Sequence, residues 1–453
     1  MARMIVKNAI VVNEGQQFIG SVLVDGERIC KVIDHTDVAY DAVLEQNCET
    51  VIDATGLYLL PGVIDDHVHF REPGYTAKSD IASESRAAAA GGVTSYMEMP
   101  NTMPPTTTLE LLEEKFNIAS SKSLVNYSFY FGASADNIHV LPLLKDSKAC
   151  GVKIFMGSST GAMAISDDEI MRKIFKSSPL IIMAHCEDDG IIADNIKAFK
   201  KRYKGQNDFP VRYHSRIRTV EACYAASSKA VMMAQETGAR LHLAHISSEK
   251  ELSLLSSAPL SEKRITAEVC IPHLIFTTED YDSLGTKIKC NPSVKADDDR
   301  HALIQGLSDG YVDVVATDHA PHQLSDKVGG ALNAASGMPL VQFSLVAMLQ
   351  LVEEGKLELT RVPKLMSHNP AELFGVKERG FIRDGYYADF VLVESGCPWV
   401  VEEDTYLTKC RWSPMLGRKF SWKVRRTVVN GHTVFSDGKL SEINYGKPLC
   451  FDR

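Results

Sequence analysis

Eight apolar runs, most of them followed by a segment with helical periodicity, recur along the middle of the chain. They span residues 63–70, 93–99, 124–132, 151–156, 180–186, 240–246, 265–270 and 312–317. Residues 79–90 and 219–236 are examples of the helical segments between them. Near-continuous apolar strands that alternate with helices are typical of a parallel sheet buried on both faces. Because eight such strands close a barrel, the pattern predicts an α/β fold with a (β/α)8 TIM barrel over residues 57–374.

Both ends of the chain show a different pattern of short alternating runs and tight turns. These runs lie around residues 5–12, 21–24, 51–52, 381–384, 389–394 and 426–435. The last run contains Asn430-Gly431, which is a strong hairpin signal. We therefore expect a small composite β-sandwich domain formed by residues 1–56 together with residues 375–453. Two separate terminal hairpins are the alternative interpretation of the same pattern.

The composition narrows the class of protein. Of the 453 residues, 45% are hydrophobic and 24% are charged, which is typical of a soluble globular protein and excludes wholesale disorder. The 49 basic and 58 acidic residues give a net charge of −9, which argues against a nonspecific nucleic-acid binder. The most apolar long stretch, residues 339–352, is interrupted by polar side chains and predicts a core helix rather than a membrane span.

The N-terminus and the cysteines indicate the compartment. The first residues show neither the apolar core nor the cleavage pattern of a signal peptide. The ten cysteines are scattered and form no CxxC pair, which favours reduced, mostly buried thiols over a disulfide scaffold or a zinc ribbon. We therefore expect a cytoplasmic protein that acts on neither nucleic acid nor membrane.

The first apolar run ends in the sequence Asp66-His67-Val68-His69-Phe70-Arg71. Side chains at positions i and i+2 of a strand share a face, so His67 and His69 can bind one cation together. A lone HxH pattern is weak, and two packed histidines are an equally good interpretation of it. Its place at the carboxyl end of a barrel strand favours metal binding, because active sites in this fold lie there.

Four further side chains fall at the same rim of the predicted barrel: Lys153 lies within its strand, His185 and His245 lie near strand ends, and Asp318 follows a strand. Each has an ordinary structural alternative, such as a helix cap for Asp318 or a solvent-seeking ammonium for Lys153. Taken together with the HxH pair, they predict a metal centre. Burial lowers the pKa of a lysine and frees its amine, which can then react with carbon dioxide to form a carbamate that bridges two metals.

Three longer motifs resemble those of dihydroorotase, a cyclic amidohydrolase. They are Asp66-His67-Val68-His69-Phe70-Arg71-Glu72-Pro73-Gly74, Met99-Pro100-Asn101-Thr102-Met103-Pro104-Pro105 and Ala316-Thr317-Asp318-His319-Ala320-Pro321-His322. The resemblance extends over essentially the whole chain, and Ala388-Asp389-Phe390-Val391-Leu392 is similar to a segment of the small β-domain of the family.

The resemblance implies a role for each of nine residues. His67, His69 and Asp318 would hold one zinc ion, His185 and His245 would hold a second one, and carboxylated Lys153 would bridge the two. Arg71, Asn101 and His322 would bind the carboxylate of the substrate. The planar guanidinium of an arginine suits that task, because it donates two parallel hydrogen bonds to one carboxylate.

The resemblance also implies the reaction, the reversible hydrolysis of dihydroorotate to N-carbamoyl-L-aspartate in de novo pyrimidine synthesis. A hydroxide that bridges the metals would attack the ring carbonyl, and Asp318 would take up a proton and deliver it to the leaving nitrogen. A homo-oligomer, dimer or tetramer, and an association with aspartate transcarbamoylase are further expectations of this kind.

Several alternatives stay open at this stage. An allantoinase or a hydantoinase would keep the same metal ligands, and a catalytically inactive relative would serve as an assembly subunit. The family often has a histidine pair where this chain has Cys270-Ile271-Pro272-His273, so the roles of Glu268 and His273 are not assigned. Residues 157–162 are small and polar, and either a mobile lid or a plain connecting loop fits them.

Overall fold

A computed structural model describes residues 3–35, 48–157 and 163–453 of the chain. The N-terminal part forms strands that pair mainly with their neighbours along the chain. These strands are β1 (Arg3–Asn13), β2 (Gln16–Asp25), β3 (Arg28–Asp34), β4 (Thr50–Asp53) and β5 (Leu57–Pro61). The first three form an antiparallel meander, and both β4 and β5 pair with β1 in parallel.

The middle of the chain forms a barrel of parallel strands, and each of the eight predicted apolar runs contains one of them. The strands are β6 (Val63–Val68), β7 (Val93–Glu98), β8 (Asn126–Phe129), β9 (Phe131–Gly132), β10 (Val152–Met156), β11 (Ala164–Ile165), β12 (Ile182–Cys186), β13 (Leu241–Leu243), β14 (Ile265–Cys270) and β15 (Val314–Ala316). The strands β8 and β9 belong to one apolar run, and β11 is a short addition beside β10.

The barrel closes through two connections between its hydrogen-bonded sheets. The third apolar run pairs with β7 through β8 and with β10 through β9, so it links the two sheets on one side. On the other side a parallel bridge joins Val68 of β6 to His319, which follows β15, and the amide of His69 donates to the carbonyl of His319 at 2.7 Å. The predicted TIM-barrel architecture is confirmed.

The C-terminal strands complete the sheet that the N-terminal strands begin. They are β16 (Phe390–Glu394), β19 (Lys423–Val429), β20 (His432–Ser436) and β21 (Lys439–Leu440), whereas β17 (Trp399–Val400) and β18 (Lys419–Phe420) form a separate two-stranded sheet. Antiparallel pairing of β16 with β5 joins both ends of the chain in one sheet, with Leu59 opposite Leu392. The predicted hairpin is present, since Asn430 and Gly431 connect β19 to β20 with φ values of 49° and 76°.

Helices connect the barrel strands and cover their outer face. The α-helices are Ile81–Ala90, Leu109–Lys122, Asp168–Ser177, Asp189–Arg202, His214–Ile217, Val220–Thr237, Glu249–Leu252, Ile271–Ile275, Tyr281–Leu284, Asp297–Asp309, Ser344–Glu353, Arg361–Pro363 and Asn369–Phe374. The helix predicted within residues 79–90 is present, and a capping box of Asp80 and Ser83 begins it. The helix ends at Gly91, where a Cβ atom would lie 2.7 Å from the carbonyl oxygens of Val341 and Gln342.

Shorter helical turns lie in the connections between these elements. The 3-10 turns are Ile138–Asp146, Val211–Tyr213, Leu260–Glu262, Thr278–Asp280, Gly285–Ile288, Leu324–Lys327, Val341–Phe343 and Glu403–Thr405, and a π-helical turn spans Lys364–His368. The predicted core helix over residues 339–352 is observed as Val341–Phe343 followed by Ser344–Glu353, most of it buried. Among the described residues no helix is long and apolar enough to span a membrane.

Two parts of the molecule have separate hydrophobic cores. A large cluster surrounds the barrel and its helices, and a smaller one that includes Val11, Val22 and Phe390 fills the sheet of the chain ends. The division into residues 1–56, 57–374 and 375–453 stays a prediction. Of the segment 157–162, for which we weigh a lid against a plain loop, residues 158–162 lie outside the described part of the chain.

Candidate metal centre and substrate pocket

One cavity of about 260 Å³ opens at the carboxyl ends of the barrel strands. All nine residues to which the sequence analysis assigns a role line it: His67, His69, Arg71, Asn101, Lys153, His185, His245, Asp318 and His322. Tyr75, Lys78, Phe155 and Asn291 also contribute to its wall. The structure therefore brings the predicted site residues together, although they come from six different segments of the sequence.

Three of the predicted ligands form the first group. The Nε2 atoms of His67 and His69 lie 3.4 and 3.0 Å from Oδ1 of Asp318. All three ligand atoms lie within 4.8 Å of one another. Burial lowers the pKa of His69 to about 4 in spite of the opposing charge of Asp318, so this imidazole is neutral at pH 7 and has a lone pair for a metal.

His185 and His245 form the second group. Nδ1 of His185 and Nε2 of His245 lie 2.9 Å apart and face each other. Burial, together with the neighbouring cationic side chains, lowers the pKa of His245 well below its ordinary value. The ring centroids of His67 and His245 are 5.3 Å apart, so the two groups of ligands adjoin each other.

Lys153 projects from β10 into the same cavity and is fully buried. Its Nζ atom has no hydrogen-bond partner among the described residues. Burial lowers the pKa of the ammonium, against the attraction of the Glu268 and Asp318 carboxylates. A buried amine without a hydrogen-bond partner destabilises the folded protein unless a bound group interacts with it. A buried lysine with a lowered pKa is also what formation of a carbamate would require.

The backbone adopts an unusual conformation at three of these positions. Arg71, His245 and Asp318 have φ values of 71°, 37° and 45°, in the left-handed region that side chains other than glycine rarely adopt. Each residue comes two or three positions after the end of its strand. His245 therefore lies beyond β13, which ends at Leu243, although the apolar run of residues 240–246 predicts a longer strand. Strained backbone of this kind concentrates at functional sites.

An outer layer of acceptors orients three of the histidines. Nδ1 of His67 donates to Oε1 of Glu268, which also accepts from the backbone amide of His245 at 3.0 Å. Nδ1 of His69 donates to Oδ1 of Asn101 at 2.9 Å. Because these contacts engage Nδ1, they leave Nε2 of both rings free for a metal.

The third oriented histidine is His185, whose Nε2 lies 3.1 Å from Oε2 of Glu187. The guanidinium of Arg218 donates to the same oxygen at 2.5 Å. Both contacts favour the charged carboxylate, and against the effect of burial they lower the pKa of Glu187 to about 2. This pair holds His185 so that Nδ1 faces His245.

His242 lies below the cavity rather than in its wall, as its parity in the strand predicts. Its Nε2 is 3.4 Å from Asp66 and 3.7 Å from Glu268. Burial disfavours its charged form, but the two carboxylates outweigh burial and raise the pKa of His242 to about 9. A charged His242 balances these two buried acids, and the three side chains also lie close enough together to form a candidate metal-ligand group.

The cavity has a cationic corner opposite the histidine cluster. Nη2 of Arg71 lies 3.1 Å from Nε2 of His322, and Nε of Arg71 donates to the carbonyl of Pro321 at 3.2 Å. Nζ of Lys78 lies 3.1 Å from Nδ1 of His322. Among the described residues no carboxylate oxygen lies within 4.0 Å of the Arg71 guanidinium, although the side chain is buried.

Residues 58–434 match the sequence model of the amidohydrolase family. The chain belongs to that family. It is 35% identical over 427 residues to a dihydroorotase of Halobacterium salinarum, covering 93% of this chain and 95% of the relative. It is 32% identical over 455 residues to a dihydroorotase of Aquifex aeolicus, covering 96% and 100%. It is also 30% identical over 401 residues to an allantoinase of Bacillus velezensis, covering 87% of each.

Solved structures give the same fold. The L-hydantoinase (dihydropyrimidinase) of Arthrobacter aurescens superimposes with a TM-score of 0.92 at 27% identity, covering 99% of this chain and 100% of that one. A dihydropyrimidinase of Brevibacillus agri has a TM-score of 0.88 at 23% identity, which shows the fold alone. The sequence resemblance to cyclic amidohydrolases is thereby confirmed at the level of the family.

The donor set of this amidohydrolase fits metal ions. Neutral imidazoles, a carboxylate and an unpartnered buried amine are what a site with nitrogen and oxygen ligands requires. The buried Nδ1 of His245 and Nζ of Lys153 both lack a hydrogen-bond partner within the described part of the chain. The converging nitrogens of the two histidine groups point to cations that would hold them together.

Sequence reasoning missed the outer layer of the site. Glu187 follows His185 by two residues, at the position where a strand places side chains on the same face, so a strand-parity signal was present. Glu268 is given no role by the motifs, and the structure makes it the partner of His67. No local signal places Arg218 or Lys78 beside the site. His273 is buried and hydrogen-bonded to the carbonyl of Pro292, outside the cavity wall.

Proposed function

We propose that this amidohydrolase is a dihydroorotase, which reversibly hydrolyses dihydroorotate to N-carbamoyl-L-aspartate in de novo pyrimidine synthesis. The observation that carries the proposal is the buried guanidinium of Arg71, which faces the histidine cluster without a carboxylate partner among the described residues. A buried cation requires an anion, and dihydroorotate has a carboxylate on the ring that contains its cyclic amide bond. The dihydroorotase relatives support the same substrate.

Two zinc ions fit the ligands in this proposal. One ion would be held by His67, His69 and Asp318. The other would be held by His185 and His245, and carboxylated Lys153 would be a ligand of both. When bound, zinc supplies Lewis-acid activation of water and of the amide carbonyl. The protein itself supplies the orientation of these ligands through Glu268, Glu187 and Asn101.

Asp318 acts as the proton-transfer group. Burial favours its neutral form, but the neighbouring His67, His69 and Lys153 side chains outweigh burial and lower the pKa of Asp318. It is therefore a carboxylate at neutral pH, ready to accept the proton of the attacking water. It then protonates the ring nitrogen as the amide C–N bond breaks, and the reverse sequence closes the ring.

Three side chains hold the substrate carboxylate. Arg71 has Nη2 available at the cavity wall, and His322 presents Nε2 at 3.1 Å from it. Asn101 uses Oδ1 to accept from His69, which leaves its amide nitrogen as a donor toward the substrate. These side chains line the same cavity as the candidate metal ligands, so the carboxylate would anchor the ring while its amide faces those ligands.

An allantoinase or hydantoinase is the second candidate. The 30% identity with an allantoinase and the superposition on an L-hydantoinase favour it. Allantoin has no carboxylate, so an allantoinase pocket would leave Arg71 buried without an anion. For this reason we rank dihydroorotase first, and an inactive assembly subunit last, because every predicted ligand lines the cavity.

The proposal extends to the setting of the enzyme. We infer a cytoplasmic homo-oligomer, dimer or tetramer, that binds a small-molecule substrate and neither nucleic acid nor membrane. An association with aspartate transcarbamoylase is part of the proposal, because that enzyme forms N-carbamoyl-L-aspartate, which ring closure consumes.

The test is an interconversion assay of N-carbamoyl-L-aspartate and dihydroorotate, with allantoin as a competing substrate, on enzyme with and without added zinc. We expect turnover of dihydroorotate that depends on zinc and no turnover of allantoin. Arg71→Met removes charged hydrogen bonds worth about 2 kcal/mol, so KM for dihydroorotate rises roughly 30-fold while bound zinc stays constant. Arg172→Met is the matched control, because Arg172 forms an exposed ion pair with Glu236 and does not line the cavity.

Two results would contradict the assignment. Turnover of allantoin or of a hydantoin without turnover of dihydroorotate would make the second candidate correct. Loss of zinc from Arg71→Met with unchanged affinity for dihydroorotate would show that Arg71 supports the metal centre rather than the substrate.

A further inference from the structure

The two ring nitrogens of His322 contact different donors and acceptors, and these contacts determine which nitrogen carries the proton. Nδ1 faces the Lys78 ammonium at 3.1 Å, and an ammonium can only donate. Nε2 faces two groups, the carbonyl oxygen of Ser336 at 3.0 Å, which can only accept, and the guanidinium of Arg71 at 3.1 Å, which can only donate. Burial and the charges of Arg71, Lys78 and Lys327 lower the pKa of His322, so the ring is neutral and has one N–H.

The two neutral forms of His322 satisfy these contacts differently. With the proton on Nε2, Nδ1 accepts from Lys78 and Nε2 donates to Ser336, and only the contact with Arg71 is unfavourable. With the proton on Nδ1, Nε2 accepts from Arg71, but the contacts with Lys78 and Ser336 both become unfavourable. The nearest alternative acceptor for Nδ1 is Asp326 at 3.7 Å, which is too far for a hydrogen bond. The form protonated on Nε2 is therefore favoured.

We propose that Lys78 is a positioning residue that fixes this tautomer and thereby keeps the Nη2 donor of Arg71 available to the substrate carboxylate, an inference that rests on the proposed function. With Nε2 protonated, His322 donates its single N–H to Ser336 and cannot accept from Arg71, so Nη2 of Arg71 has no acceptor at His322. A carboxylate oxygen placed beside Nη2 accepts from Arg71 and can share the N–H of His322. Without Lys78, His322 can turn into an acceptor for Arg71, and both groups are then occupied with each other.

Neighbouring groups hold the side chain and the backbone of Lys78 in place. Its side chain is partly buried and lines the cavity, and its Nζ is 3.6 Å from Asp326, so the segment between residues 322 and 326 holds it from two sides. Lys78 is also the residue that precedes the buried Ser79, whose hydroxyl donates to the carbonyl of Phe70. The backbone that carries Lys78 is thus fixed to the strand that leads to Arg71.

The first experiment reads the tautomer directly in the zinc-loaded enzyme without substrate. Nitrogen-15 NMR of histidine-labelled protein, with the His322 signals assigned through His322→Gln, distinguishes protonated from unprotonated ring nitrogens. We expect Nε2 to be protonated in the wild type and the proton to shift at least partly to Nδ1 in Lys78→Met. A wild-type ring protonated on Nδ1 would overturn the proposal, whatever the enzyme turns over.

The second experiment distinguishes a hydrogen bond donated by Lys78 from the longer-range effect of its positive charge. We expect Lys78→Met to raise KM for dihydroorotate about tenfold, with a smaller effect on kcat, and Lys78→Arg to restore KM toward the wild-type value. A tenfold effect that persists between 0.05 and about 0.5 M salt indicates a short hydrogen bond, because salt screens longer-range attraction. Lys409→Met is the control, since Lys409 donates to the carbonyl of Thr76 and pairs with Asp80 in the same segment without touching His322.

The outcomes of the second experiment distinguish a failure of the positioning role from a failure of the proposed function. An unchanged KM in Lys78→Met, or the same rise in Lys409→Met, would overturn the positioning role. Absence of dihydroorotate turnover in the wild type would instead contradict the proposed function, and the NMR result would still decide on the tautomer.

Discussion

The pair of Glu187 and Arg218 gives a sharp test of how the site is supported. The carboxylate is fully buried, whereas the arginine side chain is 14% exposed. Oε2 of Glu187 accepts from both His185 and Arg218, and Oε1 has no hydrogen-bond partner among the described residues. The substitution Arg218→Met removes the guanidinium and leaves a buried carboxylate with His185 as its remaining hydrogen-bond partner.

The size of the effect follows from burial. Removing one partner of a buried ion pair costs about 3–5 kcal/mol, because the remaining charge stays desolvated. The substitution Glu187→Gln should cost less, about 1–3 kcal/mol, since Arg218 is near enough to solvent to be hydrated. The double variant Glu187→Gln/Arg218→Met contains neither charged group. We therefore expect it to be at least about 1 kcal/mol more stable than Arg218→Met alone.

The assay is urea-induced unfolding of the zinc-free proteins at pH 7, because bound metal would add its own stabilisation. A second measurement, zinc titration, separates charge from orientation. Glu187→Gln keeps an acceptor for His185 and should bind zinc nearly as the wild type does, whereas Glu187→Leu removes the acceptor and should bind it 10 to 100 times more weakly.

The reasoning is refuted if Arg218→Met is as stable as the wild type, or if the double variant is no more stable than Arg218→Met. In either case the buried carboxylate would not depend on Arg218 for its charge balance. Equal zinc affinities of Glu187→Leu and Glu187→Gln would show that the acceptor does not orient His185.

Three further predictions concern the same chain. Asp318→Asn should lower kcat at least about a hundredfold with an unchanged circular dichroism spectrum, and near-normal rates would refute its proton-transfer role. In a crystal of the zinc-loaded enzyme, electron density should extend beyond Nζ of Lys153, and density that ends at Nζ would exclude a carbamate. Burial lowers the pKa of Lys327 to about 7, so above pH 7 the unfolded chain binds more protons there than the folded one. The free energy of unfolding of the wild type should therefore rise between pH 7 and 9 by about 2 kcal/mol more than that of Lys327→Met, and parallel profiles would contradict this.

Short-range patterns explain why the barrel, and the gathering of the candidate ligands at its rim, were predictable. Apolar runs identify strands because a parallel sheet buries both faces, and the carboxyl ends of such strands meet at one rim. Lys153 and His185 were therefore placed at the rim before any coordinate was known. The pairing of β5 with β16 is different, because it joins segments more than three hundred residues apart, and no local pattern selects that partner.

The outer layer of the site was not predictable for a related reason. Glu268 reaches His67 across 201 positions and Arg218 reaches Glu187 across 31, so only the fold brings each pair together. The left-handed backbone of Arg71, His245 and Asp318 is equally invisible in sequence, because none of these residue types requires it. Contacts of this kind depend on where the chain turns after each strand rather than on the strand itself.

Substrate choice within the family depends on a few side chains in the cavity wall. An L-hydantoinase shares the fold with a TM-score of 0.92, and relatives of about 30–35% identity include both dihydroorotases and an allantoinase. Since the shared architecture supports several activities, the chemistry of individual side chains has to separate them. In this chain of net charge −9, the cations Arg71 and Lys78 lie together at the cavity wall, with His322 between them. A local excess of positive charge inside an acidic protein favours an anionic substrate, and under the proposed function the carboxylate of dihydroorotate would be the group that binds there.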